Sequence, residues 1–161
     1  MARKLIFKNI NFQKSKMSID PALPIYTISS AAKILNISVH TVRMYEREGL
    51  LIPFKKQSGH RLFSENDLEH IRCIRKAIKE QKLSIEGIKR ILSLIPCWGV
   101  IHCPVDEREN CDAYNSHGTP CWTLRHTNDY CQDKNCYTCD VYRKSSNCDI
   151  IKEMLKKLIV S

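Results

Sequence analysis

The chain has 161 residues, 43% of them hydrophobic, and no apolar run approaches the roughly 20 residues of a bilayer span. That leaves room for one or two small domains and excludes a membrane anchor from this reading. A formal charge of +9 suits an anionic partner. The opening stretch MARKLIFKNINF is interrupted by Lys8 and Asn9 and lacks a small-residue cleavage site, so no signal peptide is read and a cytoplasmic location is expected.

Residues 1–24 form a basic, polar arm closed by Pro21 and Pro24, with Met17 as a second candidate start. From Tyr26 the pattern changes. Ile28, Ala31, Ala32 and Leu35 fall at helical spacing. Asn36 follows, a residue that tolerates a left-handed turn. Ser38 then caps a second helix that buries Val42 and Tyr45, and Gly49 ends it with Leu50 just beyond. Two helices on a tight turn are a helix-turn-helix, whose second helix can enter a DNA major groove. Leu50–Phe54 and Arg61–Phe63 read as two strands of a wing around KKQSGH. Ser64 and Asp67 make a capping box for a helix with Leu68, Ile71, Ile74 and Ile78 inside. Cys73 on that helix reads as a free, half-buried packing residue. Ser84 opens another helix, carrying Ile85, Ile88, Leu92 and Ile95 on one face.

This order, with RMYEREGL at 43–50, GHRLFSENDL at 59–68 and GIKRIL at 87–92, resembles the DNA-binding domain of the MerR family of bacterial transcription regulators. The resemblance implies a winged helix-turn-helix over residues 25–95 that binds double-stranded DNA as a homodimer on an inverted repeat, with RNA polymerase as a further candidate partner. It implies that Arg43, Tyr45 and Arg61 contact the DNA backbone. His40 and Thr41, near the start of the second helix, would lie closer to base edges, and Lys55, Lys56 and His60 add wing charge. Residues 25–95 carry 13 basic and 7 acidic side chains, a balance that phosphate binding favours. A bland alternative keeps Tyr45 in the core and pairs Arg43 with Glu46, three residues on.

Eight of the nine cysteines follow residue 96: Cys97, Cys103, Cys111, Cys121, Cys131, Cys136, Cys139 and Cys148. In a cytosolic chain such density points to metal or redox chemistry rather than a disulfide framework. Residues 96–147 have too few aliphatic side chains for a core of their own, and a bound metal can supply the missing stability. Cys136-x-x-Cys139 lets two thiolates reach one metal from a tight turn, with Cys131 as a third. Zinc, an iron–sulfur cluster and a metal-free thiol switch all remain open. His102, His117 and His126 read as surface histidines. The Cys-Trp pairs at 97–98 and 121–122, with CDAY at 111–114 and CDVY at 139–142, resemble the two-CW module attached to several bacterial signalling proteins.

The last stretch, residues 148–161, places Ile150, Ile151, Met154, Leu155, Leu158 and Ile159 on one helical stripe behind a Ser146–Asp149 capping box. It is read as a dimerisation helix or as a helix docked on the cysteine module. The fold expected is therefore mainly α: winged helix-turn-helix, loop-rich metal-stabilised cysteine module, short C-terminal helix. The function expected is a DNA-binding transcription regulator whose module senses metal, redox state or a small ligand. The rival reading is a metal-stabilised interaction or electron-transfer module that uses the helix-turn-helix for docking. No nucleophile–base pair or glycine-rich phosphate loop argues for an enzyme.

Overall fold

The helix-turn-helix forms where its capping residues place it. In this computed structural model, which describes residues 20–124, 126–127, 129–146 and 153, helix α1 (Ile28–Ile34) opens on Thr27 and buries Ala31 and Ala32. Asn36 takes a φ of 50°, the left-handed turn expected there. Ser38 then accepts a hydrogen bond from the Thr41 amide and starts α2 (Val39–Arg47). Gly49, at φ 72°, closes α2. Its amide donates to the Glu46 carbonyl at 3.0 Å and that of Leu50 to the Tyr45 carbonyl at 2.9 Å. These two bonds make a Schellman motif, which satisfies carbonyls the helix would leave orphaned.

The wing is shorter than the sequence suggests, and it gains a strand. Strands β1 (Tyr26–Thr27), β2 (Phe54–Lys55) and β3 (Arg61–Phe63) form an antiparallel sheet in the order β1-β3-β2. Tyr26 faces Phe63 and Phe54 faces Leu62 across it. Two residues are too few to show an alternating pattern, so β1 leaves no trace in the sequence. The strand expected over Leu50–Phe54 is mostly replaced by irregular chain, for a physical reason. Leu50 and Leu51 are buried plugs, and Pro53 has no amide hydrogen to give a ladder. Ile52 sends its amide to the Tyr142 hydroxyl at 2.8 Å, and that hydroxyl donates back to the Ile52 carbonyl at 3.2 Å.

Helix α3 (Glu65–Lys79) begins at the Ser64–Asp67 capping box, and α4 (Ile85–Ser93) begins at Ser84. Arg75 on α3 donates to the Leu35 carbonyl at 2.6 Å, locking α3 to the end of α1. Cys73 corrects the sequence reading: it is half-buried as expected, but it is disulfide-bonded rather than free.

Beyond residue 95 the chain runs through α5 (Cys97–Val100), α6 (Val105–Arg108), α7 (Asp112–Asn115), 3-10 turns at Cys121–Thr123 and Cys136–Thr138, and α8 (Asp140–Ser145). Among the described residues this region shows no separate hydrophobic cluster. Trp122, Tyr137, Val141 and Tyr142 join one buried cluster with Leu50, Leu51, Phe63, Leu68 and Ile71 of the winged helix. The residues expected to form an N-terminal arm up to residue 19, Cys148 and, Glu153 apart, the C-terminal helix lie outside the described residues.

Candidate thiol centre and DNA-facing surface

Two turns and three short helices bring seven cysteines to one place. Cys97, Cys103, Cys111, Cys121, Cys131, Cys136 and Cys139 all line a single cavity, part of it open to solvent, and all seven are free thiols. Its remaining walls are mostly apolar and aromatic, among them Trp98, Trp122, Tyr114 and Tyr142. Burial pushes the Cys97 thiol up to about 11 and Cys131 to about 12, and neighbouring charge at Cys111 and at Asp129 adds to these shifts. Cys121 is pushed up further by burial and by Cys97, Cys139, Cys136 and Cys131 around it. Without a cation, then, Cys97, Cys121 and Cys131 are held as neutral thiols, because each thiolate would be poorly solvated and would lie near other thiols.

The doubled Cys-Trp signature acquires a structural meaning here. Trp98 packs edge-on against Tyr114 at 5.0 Å, and Trp122 against Tyr142 at 5.3 Å. Each tryptophan thus meets the tyrosine of the Cys-Asp-x-Tyr stretch that follows it, giving two similar halves around one cavity. The second half bonds to the winged helix. Trp122 Nε1 donates to the Gly49 carbonyl at 2.9 Å, and Tyr142 bonds Ile52 as above. The Tyr137 hydroxyl donates to Asp67 of the α3 capping box at 3.2 Å.

The sequence suggests a surface position for His126, and the structure corrects this. Its side chain is 8% exposed, lines the cavity, and is fixed at both nitrogens: Nδ1 lies 2.7 Å from Asp129 Oδ2 and Nε2 lies 3.0 Å from the Cys121 carbonyl. His102 and His117 are exposed or half-exposed, as expected. Asp129 also accepts from the Cys131 amide at 2.8 Å. Burial raises the Asp129 pKa, but the His126, Cys131 and Cys111 hydrogen bonds and the His126 charge outweigh it and leave it lowered. Arg108 braces the loop by donating to the Cys103 carbonyl at 2.7 Å. Among the described residues, Cys111, His126 and Asp129 are the set of three donors whose ligand atoms lie within 4.8 Å of one another. Sequence reasoning missed Asp129 and Arg108, since one Asp and one Arg in a loop carry no spacing signal.

The residues expected to face DNA sort differently. His40, Arg43, Lys55, Lys56, His60 and Arg61 are exposed on α2 and the wing, and Thr41 is half-buried with its hydroxyl 2.9 Å from that of Ser38. Tyr45, expected at the DNA backbone, is 4% exposed and belongs to the core. Glu46 does not pair with Arg43. It holds Arg61 instead, with Nε 2.7 Å from Oε2, so a wing cation is oriented by the reading helix.

Residues 26–95 match the family model described as MerR HTH family regulatory protein, and this segment is a MerR-type helix-turn-helix domain. Similar proteins include the uncharacterized HTH-type transcriptional regulator YyaN of Bacillus subtilis, 41% identical over 42% of this chain and 49% of its own. The HTH-type transcriptional regulator HmrR of Sinorhizobium medicae is 35% identical over 42% of this chain and 46% of its own. ZntR of Escherichia coli K12 is 31% identical over 43% and 49%. The chain spans about half the length of these relatives. No solved structure matches it. Among the described residues no helix is long and apolar enough to cross a membrane.

Proposed function

We propose that this protein is a DNA-binding transcription regulator whose cysteine module holds a metal centre that sets the posture of the DNA reader. On this reading Arg43, Arg61, Lys55, Lys56 and His60 contact phosphates, and His40 and Thr41 lie nearest the base edges. A homodimer on an inverted repeat would present two such readers, with RNA polymerase as a partner at the promoter. Thiol ligands fit soft or borderline metals, and a cation among them would offset the cost of burying thiolates side by side.

One observation carries the coupling. Three cavity cysteines stand beside aromatic residues that grip the reader: Cys121 precedes Trp122, Cys136 precedes Tyr137, and Cys139 opens the turn that carries Tyr142. Their partners are the carbonyl that ends α2, the cap of α3 and the backbone entering the wing. A change in thiol ligation would move these turns, and the turns hold the wing. A ligand shifts such an equilibrium only by its differential affinity for the two postures. The test is to measure binding to an operator selected from random duplexes, with metal-loaded and chelator-stripped protein, across a salt series. Loading is expected to change affinity or DNA distortion, while the salt slope stays that of a protein neutralising several phosphates. Equal affinity and equal distortion in both states would refute the coupling.

A further inference from the structure

The cavity's geometry discriminates between kinds of metal centre, an inference that rests on the reading of the thiols as a metal site. A single zinc ion with four thiolates at about 2.3 Å needs their sulfurs about 4 Å apart. Here seven thiols share one cavity, yet among the described residues no three cysteine sulfurs lie mutually within 4.8 Å. They are carried by different elements. Cys97 starts α5, Cys121 opens one 3-10 turn, Cys131 follows the Asp129 turn, and Cys136 and Cys139 flank the other 3-10 turn.

These elements are not free to close on one ion. The turn of Cys121 is held by Trp122 to the Gly49 carbonyl, that of Cys136 by Tyr137 to Asp67, and that of Cys139 by Tyr142 to Ile52. Drawing the sulfurs together by moving these turns would break one buried and two part-buried hydrogen bonds, which are costly to leave unmade. A polynuclear cluster has the opposite requirement. Its own bridging atoms fill the middle, and its terminal thiolates sit apart around it.

The remaining donors make one compact set, Cys111, His126 and Asp129, but it holds a single thiol, and both His126 ring nitrogens already face oxygen acceptors. The Cys103 thiol donates to the Pro104 carbonyl at 3.6 Å, and Cys111 bonds Asp129. Cys121, by contrast, sits among Cys97, Cys131, Cys136 and Cys139. Cys131 in turn lies near Cys97 and Cys139.

We infer that the cavity holds a sulfide-bridged iron cluster with Cys97, Cys121, Cys131 and Cys139 as its terminal ligands, while Asp129 and His126 position the loop that carries Cys131. The experiment uses the full chain purified without oxygen, reconstituted in one arm with ferrous iron and sulfide and in another with zinc alone, and desalted. Iron and acid-labile sulfide in comparable amounts, with a visible sulfur-to-iron absorption band, are the expected result. Cys121→Ala and Cys139→Ala should each retain at least tenfold less iron, whereas Cys103→Ala retains it. Far-UV circular dichroism checks that each variant is folded, and the wild-type measurement stands without them. Tight zinc at one equivalent, with no labile sulfide retained from the iron arm, would overturn the cluster and leave the metal-centre reading standing. Retention of neither metal, with all seven thiols still open to alkylation, would overturn both. Loss of iron in Cys103→Ala would overturn the ligand assignment.

Discussion

Tyr142→Phe isolates the joint between the module and the wing. The ring stays, with its packing against Trp122 and its place in the core, and one hydroxyl goes. That hydroxyl both accepts from the Ile52 amide and donates to the Ile52 carbonyl. Removing it leaves two backbone groups of a half-buried residue without a protein partner. An abandoned buried donor or acceptor costs about 1–3 kcal/mol. Because Ile52 is half-buried, water recovers part of the loss, and a total of about 1–3 kcal/mol is the working figure. For a chain of this size each kcal/mol moves the melting temperature by about 2–4 °C, so a fall of roughly 2–12 °C is expected. Hydrogen exchange at the Ile52 amide should quicken at the same time, reporting a loosened wing. Tyr142→Ala would cost more, about 3–5 kcal/mol by analogy with other large aromatic truncations. A Tyr142→Phe variant that melts within about 1 °C of the wild type, below the smallest shift that slope allows, with Ile52 exchange unchanged, would show that the joint is not there.

The other expectations follow from single residues. His70 is 2% exposed, packs on Tyr142, and burial lowers its pKa from 6.5 to about 4. The unfolded chain therefore takes up this proton first, so stability is complete above pH 6.5 and falls as pH drops toward 4, by up to about 3 kcal/mol; His70→Leu should flatten that slope in urea titrations, and an unchanged slope would refute the assignment. Gly49→Ala forces a left-handed residue, about 1–2 kcal/mol, and drives its Cβ into the Thr123 methyl; adding Thr123→Ser should relieve only the second part, measured by denaturation. Arg43→Ala should weaken binding to all duplexes alike and lower the salt slope by about 0.9 for each phosphate that Arg43 neutralises, whereas His40→Ala should change sequence preference; equal slopes for Arg43→Ala and wild type would remove Arg43 from the phosphate-binding set.

The winged helix was legible because its signals are local. Caps at Ser38, Ser64 and Ser84, the left-handed Asn36 and Gly49, and apolar residues at helical spacing each act within a few residues of chain. The density of cysteines likewise announced thiol chemistry. What local pattern could not contain is pairing across distance. Glu46 chooses Arg61 over the nearer Arg43 because the sheet brings the wing beside α2, and no helical spacing encodes that. Tyr45, left between core and DNA by its local pattern, is buried in the core cluster. His126 looks like any loop histidine until the fold sets it between Asp129 and the Cys121 carbonyl. How the module meets the reader was hidden for the same reason. Too few aliphatic residues was correct, yet Trp122, Tyr137 and Tyr142 complete the core of the winged helix instead of requiring one of their own. Sequence determined the elements and the chemistry because caps, turn residues and thiols act through their own neighbourhood. Tertiary structure decided which thiols meet and which surfaces their turns hold, because those pairings span up to 90 residues and exist only once the chain is packed.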